Sequence, residues 1–195
     1  GTPLASRAAS GAVRIPDEDE AADFYQLGLQ ELSCLGYQQY EISNFARPGA
    51  ECLHNIGYWQ GAYYLGLGVS AHSLLPARDE EKETGAFYIR AANFSNTADY
   101  CRAMEEKDTA AESRQPISRK EAMFEAMMLG LRMNSGISGT DFQRRFGTSI
   151  RSVYEAPLEQ AVQNGLGLWT KDGGYRLTAK GLLLENAVAV ELMDV

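Results

Sequence analysis

The chain has 195 residues, 45% of them apolar and 23% charged, with a net charge of −8 and a pI near 4.8. That is chain and core enough for one compact domain, or one and a half, and no like-charge block marks a disordered tail. The acidic balance argues against phosphate-backbone binding, and no run reaches the roughly 18–20 consecutive apolar residues that cross a bilayer.

Gly1-Thr2-Pro3-Leu4 starts abruptly and reads as a cut inside a longer polypeptide; neither a basic segment nor an apolar one follows to mark secretion. Asp17 with Glu20 three residues on predicts a capping box, and the acids Asp17-Glu18-Asp19-Glu20 suit the positive end of a helix. Ala21, Phe24, Tyr25, Gly28, Leu32 and Leu35 form its apolar stripe, and Gly36 supplies a left-handed stop. Residues 37–46 and 64–71 read as strands, with a histidine-bearing loop between them. That order suits the edge of an α/β sheet or barrel. Residues 76–86 are polar and read as an exposed loop, and Phe94–Glu106 as a short amphipathic helix.

Ser118 and Glu121 predict a second capping box, opening a helix through Leu131 whose Met123, Phe124, Met127, Met128 and Leu129 make it apolar on nearly every side. Such a helix is buried between layers, and its methionines read as core filling rather than as a ligand surface. A short helix at 140–146 stops at Gly147, and a longer helical stretch to Gly165 restarts at Pro157. A hairpin around Lys171-Asp172-Gly173-Gly174 and a helix capped by Thr178 complete a winged-helix-like outline. Residues 139–195 hold six basic side chains against seven acidic ones, so the tail lacks the basic face of a DNA reader. An interaction module is the weaker alternative for it.

Cys34, Cys52 and Cys101 are odd in number and far apart, which fits reduced thiols in a cytoplasm, and there is no Cys-x-x-Cys pair for zinc or iron–sulfur. His54 is the sharpest candidate. A neutral imidazole ligates heme iron, Asn55 is placed to orient it, and Tyr58 and Trp59 offer flat walls. From spacing alone a hydrogen-bonded loop histidine among packing aromatics explains the same residues, and a Cys52-x-His54 clip lacks further ligands. Gly66-x-Gly68 permits close approach of a ligand or of another backbone, but it is no dinucleotide fingerprint. Ser70, His72 and Ser73 lack the acid that a nucleophile constellation needs.

Tyr40-Glu41-Ile42-Ser43-Asn44-Phe45-Ala46-Arg47-Pro48-Gly49, the His54-Asn55-x-x-Tyr58-Trp59 motif and Gly66-Leu67-Gly68-Val69-Ser70-Ala71-His72-Ser73 stand in the order found in one family. The chain resembles the C-terminal half of radical S-adenosylmethionine (SAM) proteins of the oxygen-independent coproporphyrinogen III oxidase family, most of all their heme-chaperone (HemW-like) branch. Leu129-Gly130-Leu131-Arg132, Arg145-Phe146-Gly147 and Arg176-Leu177-Thr178-x-x-Gly181 fit the same family. The resemblance implies an α/β plus α+β fold, with a partial (β/α) barrel remnant over 1–115 and a helical winged-helix-like domain over 116–195. It implies that His54 binds heme iron, that Asn55, Tyr58 and Trp59 line the pocket, and that Gly66, Gly68, Ser70 and Ala71 lie near SAM. A [4Fe–4S] cluster belongs to the full-length family member; its Cys-x-x-x-Cys-x-x-Cys motif does not occur in this sequence. The implied function is heme handling in the cytoplasm, with heme or porphyrin and heme-acceptor proteins as partners and neither nucleic acid nor an integral membrane segment. The alternative is SAM-dependent oxidative decarboxylation of coproporphyrinogen III by the full-length protein. Missing barrel strands also imply an uncovered edge and self-association.

Overall fold

The structure is a computed structural model that describes residues 1–107, 110–193 and 195. The chain divides into two compact units, Gly1–Glu51 and Cys52–Val195.

In the first unit, helix α1 (Pro3–Ala9) is followed by α2 (Glu18–Cys34) and a hairpin of β1 (Gln38–Glu41) and β2 (Asn44–Ala46). The expected capping box opens α2: the Glu20 amide donates to Asp17 Oδ1 at 2.9 Å, and the Asp17 amide donates to Glu20 Oε2 at 3.1 Å. The single strand expected over 37–46 is instead a hairpin. Buried Glu41 accepts from the Ser43 amide at 2.8 Å and from Asn44 Nδ2 at 2.6 Å, and this carboxylate folds the chain back on itself. Tyr25 Oη donates to the Ile42 carbonyl at 3.0 Å, fastening α2 to the turn.

The second unit begins with α3 (Leu53–Trp59), then β3 (His72–Pro76), α4 (Asp79–Glu83), β4 (Ala86–Asn93), α5 (Thr97–Lys107) and β5 (Ala111–Ser118). There follow α6 (Arg119–Leu131), α7 (Gly139–Phe146), α8 (Ile150–Gln163), the hairpin β6 (Gly167–Trp169) and β7 (Tyr175–Leu177), α9 (Ala179–Leu183) and α10 (Glu185–Val190). Strands β3, β4 and β5 make an antiparallel sheet with β4 in the centre, in a register that sets Leu74 opposite Arg90 and Tyr88 opposite Ile117. The fold is mixed α/β with small sheets, and no closed barrel exists among the described residues. No helix among them is long and apolar enough to cross a membrane.

The strand expected over 64–71 falls instead at 72–76, because Gly68 (φ +96°) and Ser70 (φ +59°) turn the chain out of the extended region. Within 64–71, only Tyr64 forms a bridge, to Leu74. The loop expected at 76–86 contains α4, started by Glu81, whose Oε2 accepts from the Arg78 amide at 2.8 Å. The histidine stands on a helix, not a loop.

The capped helix α6 forms where its Ser118–Glu121 box predicts it, and it buries Met123, Met127 and Leu131. These pack with Tyr88, Ile117, Phe142, Ile150, Tyr154, Leu158, Tyr175, Leu177 and Leu192 in one core. Gly147 ends α7 in the left-handed conformation, and Pro157 bends α8 so that Tyr154, three residues earlier, leaves helical geometry (φ −118°, ψ 19°). Helices α6 to α8, the β6–β7 hairpin and α9 follow the winged-helix-like order.

Candidate functional site

Helix α3 spreads the sequence-predicted site residues over two faces. Residues four apart on a helix share a face, so His54 pairs with Tyr58 and Asn55 with Trp59. The exposed His54 ring meets Tyr58 edge-on, with centroids 4.7 Å apart at 77°. Tyr58 meets Tyr64 in the same way at 4.7 Å and 84°. Asn55 is partly buried and, among the described residues, makes no hydrogen bond to His54. Tyr58 is therefore the side chain that restrains the imidazole.

Behind Tyr64 lies a polar cluster that sequence reasoning missed. Tyr88 on β4 donates a short hydrogen bond to Glu125 of α6, and Arg90 Nη2 pairs with Glu125 Oε1 at 2.6 Å. Burial, reinforced by that carboxylate, pushes the Tyr88 phenol well above its ordinary range. Tyr64 is raised as well, first by burial and then by Tyr58, with Arg90 opposing. Both phenols stay protonated across the physiological range.

Trp59 faces the other way. The Arg132 guanidinium lies 4.5 Å over its indole, and the buried Nε1 finds no hydrogen-bond acceptor among the described residues. Trp59 helps to wall a cavity of about 730 Å³ together with Gly61, Met133, Phe142, Arg145 and Phe146. His54 does not line it.

The glycine segment is held by Asn93, a buried residue at the end of β4. Asn93 Nδ2 donates to the Gly68 carbonyl at 2.9 Å and to the Gly66 carbonyl at 3.3 Å, and its amide donates to the Ala71 carbonyl at 2.9 Å. The Gly66 amide donates to Ser73 Oγ and the Ser70 amide to the Phe94 carbonyl, each at 2.9 Å. A Cβ at Gly66 would stand 2.1 Å from the His72 carbonyl oxygen. The close approach that this glycine permits is that of β3's own backbone. The neighbouring Leu65 and Leu67 are exposed, at 68% and 83%. Nothing in the sequence around Asn93 announced its role, which needs the sheet to bring it beside residues 66–71.

Among the described residues no three His, Cys, Asp or Glu side chains assemble into a metal site, and Cys34, Cys52 and Cys101 are free and exposed. These residues do not fit an iron–sulfur cluster.

Comparison with known proteins matches residues 117–184 to the HemN C-terminal domain. The heme chaperone HemW of Lactococcus lactis is 32% identical over 187 residues, covering 96% of this chain and 46% of that protein. HemW of Bacillus subtilis is 29% identical over 178 residues, covering 91% and 44%. Among solved structures, the coproporphyrinogen III oxidase HemN of Escherichia coli, a radical SAM enzyme, superposes with a TM-score of 0.64 at 19% identity, over 91% of this chain and 42% of that one. The chain thus spans less than half the length of the relatives it matches.

Proposed function

Because the chain belongs to the HemN/HemW family and corresponds to the C-terminal part of its members, we propose that it is the heme-handling portion of a HemW-like heme chaperone, with His54 as the iron ligand. The observation that carries this reading is an exposed imidazole on a helix, restrained on one side by Tyr58 and open on the other. Tyr64 draws the following segment up to Tyr58, and that segment presents Leu65 and Leu67 outward, as the apolar faces of a tetrapyrrole require. Heme is cargo in this reading; residues 54–59 hold it until an acceptor hemoprotein takes it, in the cytoplasm. The polypeptide divides functionally at 115/116, into a barrel-derived half that presents the histidine and a helical winged-helix-like half that supports it. Asn55 and Trp59, on the other face of α3, back the His54 face rather than touch heme, and Gly66, Gly68, Ser70 and Ala71 border the SAM region of the whole protein.

The test is a hemin titration of the chain and of His54→Ala. A Soret shift present in the first and reduced at least tenfold in apparent affinity in the second is expected; equal spectra would remove His54 from the role. For the whole protein, reconstituted with its cluster and SAM, robust conversion of coproporphyrinogen III to protoporphyrinogen would displace the chaperone reading.

A further inference from the structure

We propose that the cavity beside Trp59 is a second ligand site, independent of His54, that takes a flat aromatic acid and pairs its carboxylate with Arg145. Its size, about 730 Å³, is that of small-molecule sites, which bury a ligand of roughly 300–1,000 Å³ against apolar walls with a few polar anchors. Trp59, Met133, Phe142 and Phe146 are among its apolar and aromatic lining. The charged lining, Asp141, Arg144, Arg145 and Asp172, divides into groups already engaged and one that is not. Arg144 Nη2 is paired with Asp141 Oδ1 at 2.6 Å. Asp172 accepts from Ser138 Oγ at 2.9 Å and the Gly139 amide at 3.0 Å, and also from Thr170 Oγ1 and the Gly174 amide. These donors hold its carboxyl well below the usual range, so it stays an engaged anion.

Arg145 differs. Its Nη1 donates one long bond, 3.3 Å, to the Gln60 carbonyl, and its guanidinium lies 5.2 Å from the Phe146 ring centroid and 5.8 Å from that of Tyr88. No carboxylate pairs with it among the described residues. A half-buried guanidinium with most of its five N–H donors unspent favours a planar, bidentate carboxylate. The backbone beside it makes room for that group: a Cβ at Gly61 (φ +66°) would stand 2.6 Å from Arg145 Nη1. Glycine there leaves room for the guanidinium in the cavity wall.

The probe is 2-naphthoate, followed by the fluorescence of Trp59 in a Trp169→Phe background, where it is the remaining one of the two tryptophans. Saturable quenching is expected, with a dissociation constant in the range of ~10 μM to ~1 mM. Arg145→Ala should weaken it at least tenfold, Arg145→Lys less, and 2-naphthalenemethanol, which lacks the charge, should bind at least tenfold more weakly to the unaltered site. Gly61→Ala should weaken 2-naphthoate by displacing the guanidinium, while His54→Ala should leave it unchanged. The neutral probe needs no substitution at Arg145, so that arm decides even if Arg145→Ala does not fold. Equal binding of acid and alcohol, an unaltered affinity in a folded Arg145→Ala, or no saturable quenching would each overturn the site. Because the readout does not use heme, loss of one assignment leaves the other standing.

Discussion

Two helices opened by the same kind of capping box meet opposite fates in this molecule. Helix α2 has 17 residues, and none of them is buried; Phe24 and Leu27 are 63% and 53% exposed. Helix α6 has 13 and buries Ala122, Met123, Met127, Gly130 and Leu131. Both start at capping boxes with the same reciprocal bonds. The difference lies in what surrounds them. Helix α6 is packed against β4, β5, β7 and α10, whereas α2 is tied within its own unit to one small hairpin, through the Tyr25 hydroxyl. A cap and a stripe start a helix and mark the side that seeks cover; neither supplies the cover.

The largest effect should separate the two regions. Leu158 is fully buried on α8, so Leu158→Ala should cost about 3 kcal/mol, while Phe24→Ala should stay within about 0.5 kcal/mol. Urea unfolding of both variants measures this. A Phe24→Ala cost near that of Leu158→Ala would mean that the α2 stripe is covered in solution, and the contrast would fail.

A smaller effect sharpens the picture of the buried region. Glu185 on α10 is buried, and burial raises its carboxyl pKa above the ordinary value, with Arg132 opposing. A carboxyl whose folded pKa is raised contributes stability that is complete below the unfolded pKa and is lost as pH rises through the folded one. Glu185→Gln should therefore match the parent at about pH 4 and gain relative to it towards pH 7. Melting curves across that range check it, and a variant that loses ground as pH rises would show that Arg132 dominates. The smallest effect concerns association. The exposed α2 stripe should promote self-association at high concentration, and Phe24→Ser should lower the apparent mass in light scattering. A monomer in both forms would show the stripe to be inert.

The legible part of the fold was local. Asp17 with Glu20, Ser118 with Glu121 and Thr178 each marked a helix start correctly, because a cap is closed by residues three apart and needs no distant partner. Gly147 marked a stop for the same reason. The longest strands went unread. In β4 the alternation is blurred because Ile89 is buried beside Tyr88, and β5 is a mostly polar edge whose residues 112–116 are exposed. Such strands exist only once a neighbour pairs with them. The site shows the same division. His54 and Tyr58 could be paired from their spacing once the helix was known, but the side chains of Asn93, Glu125 and Arg145 reach partners 25 to 85 residues away in the chain.

By itself the order of residues determined the family, the helix boundaries set by caps and glycines, and the motif that carries the histidine. Only tertiary structure decided that Gly66 is demanded by the His72 backbone and that Trp59 turns from His54 towards a cavity. It also left Arg145 with donors to spare. The reason is one of range. Caps and turns are satisfied by neighbours along the chain, whereas burial and cavity walls depend on which distant surfaces the fold brings together.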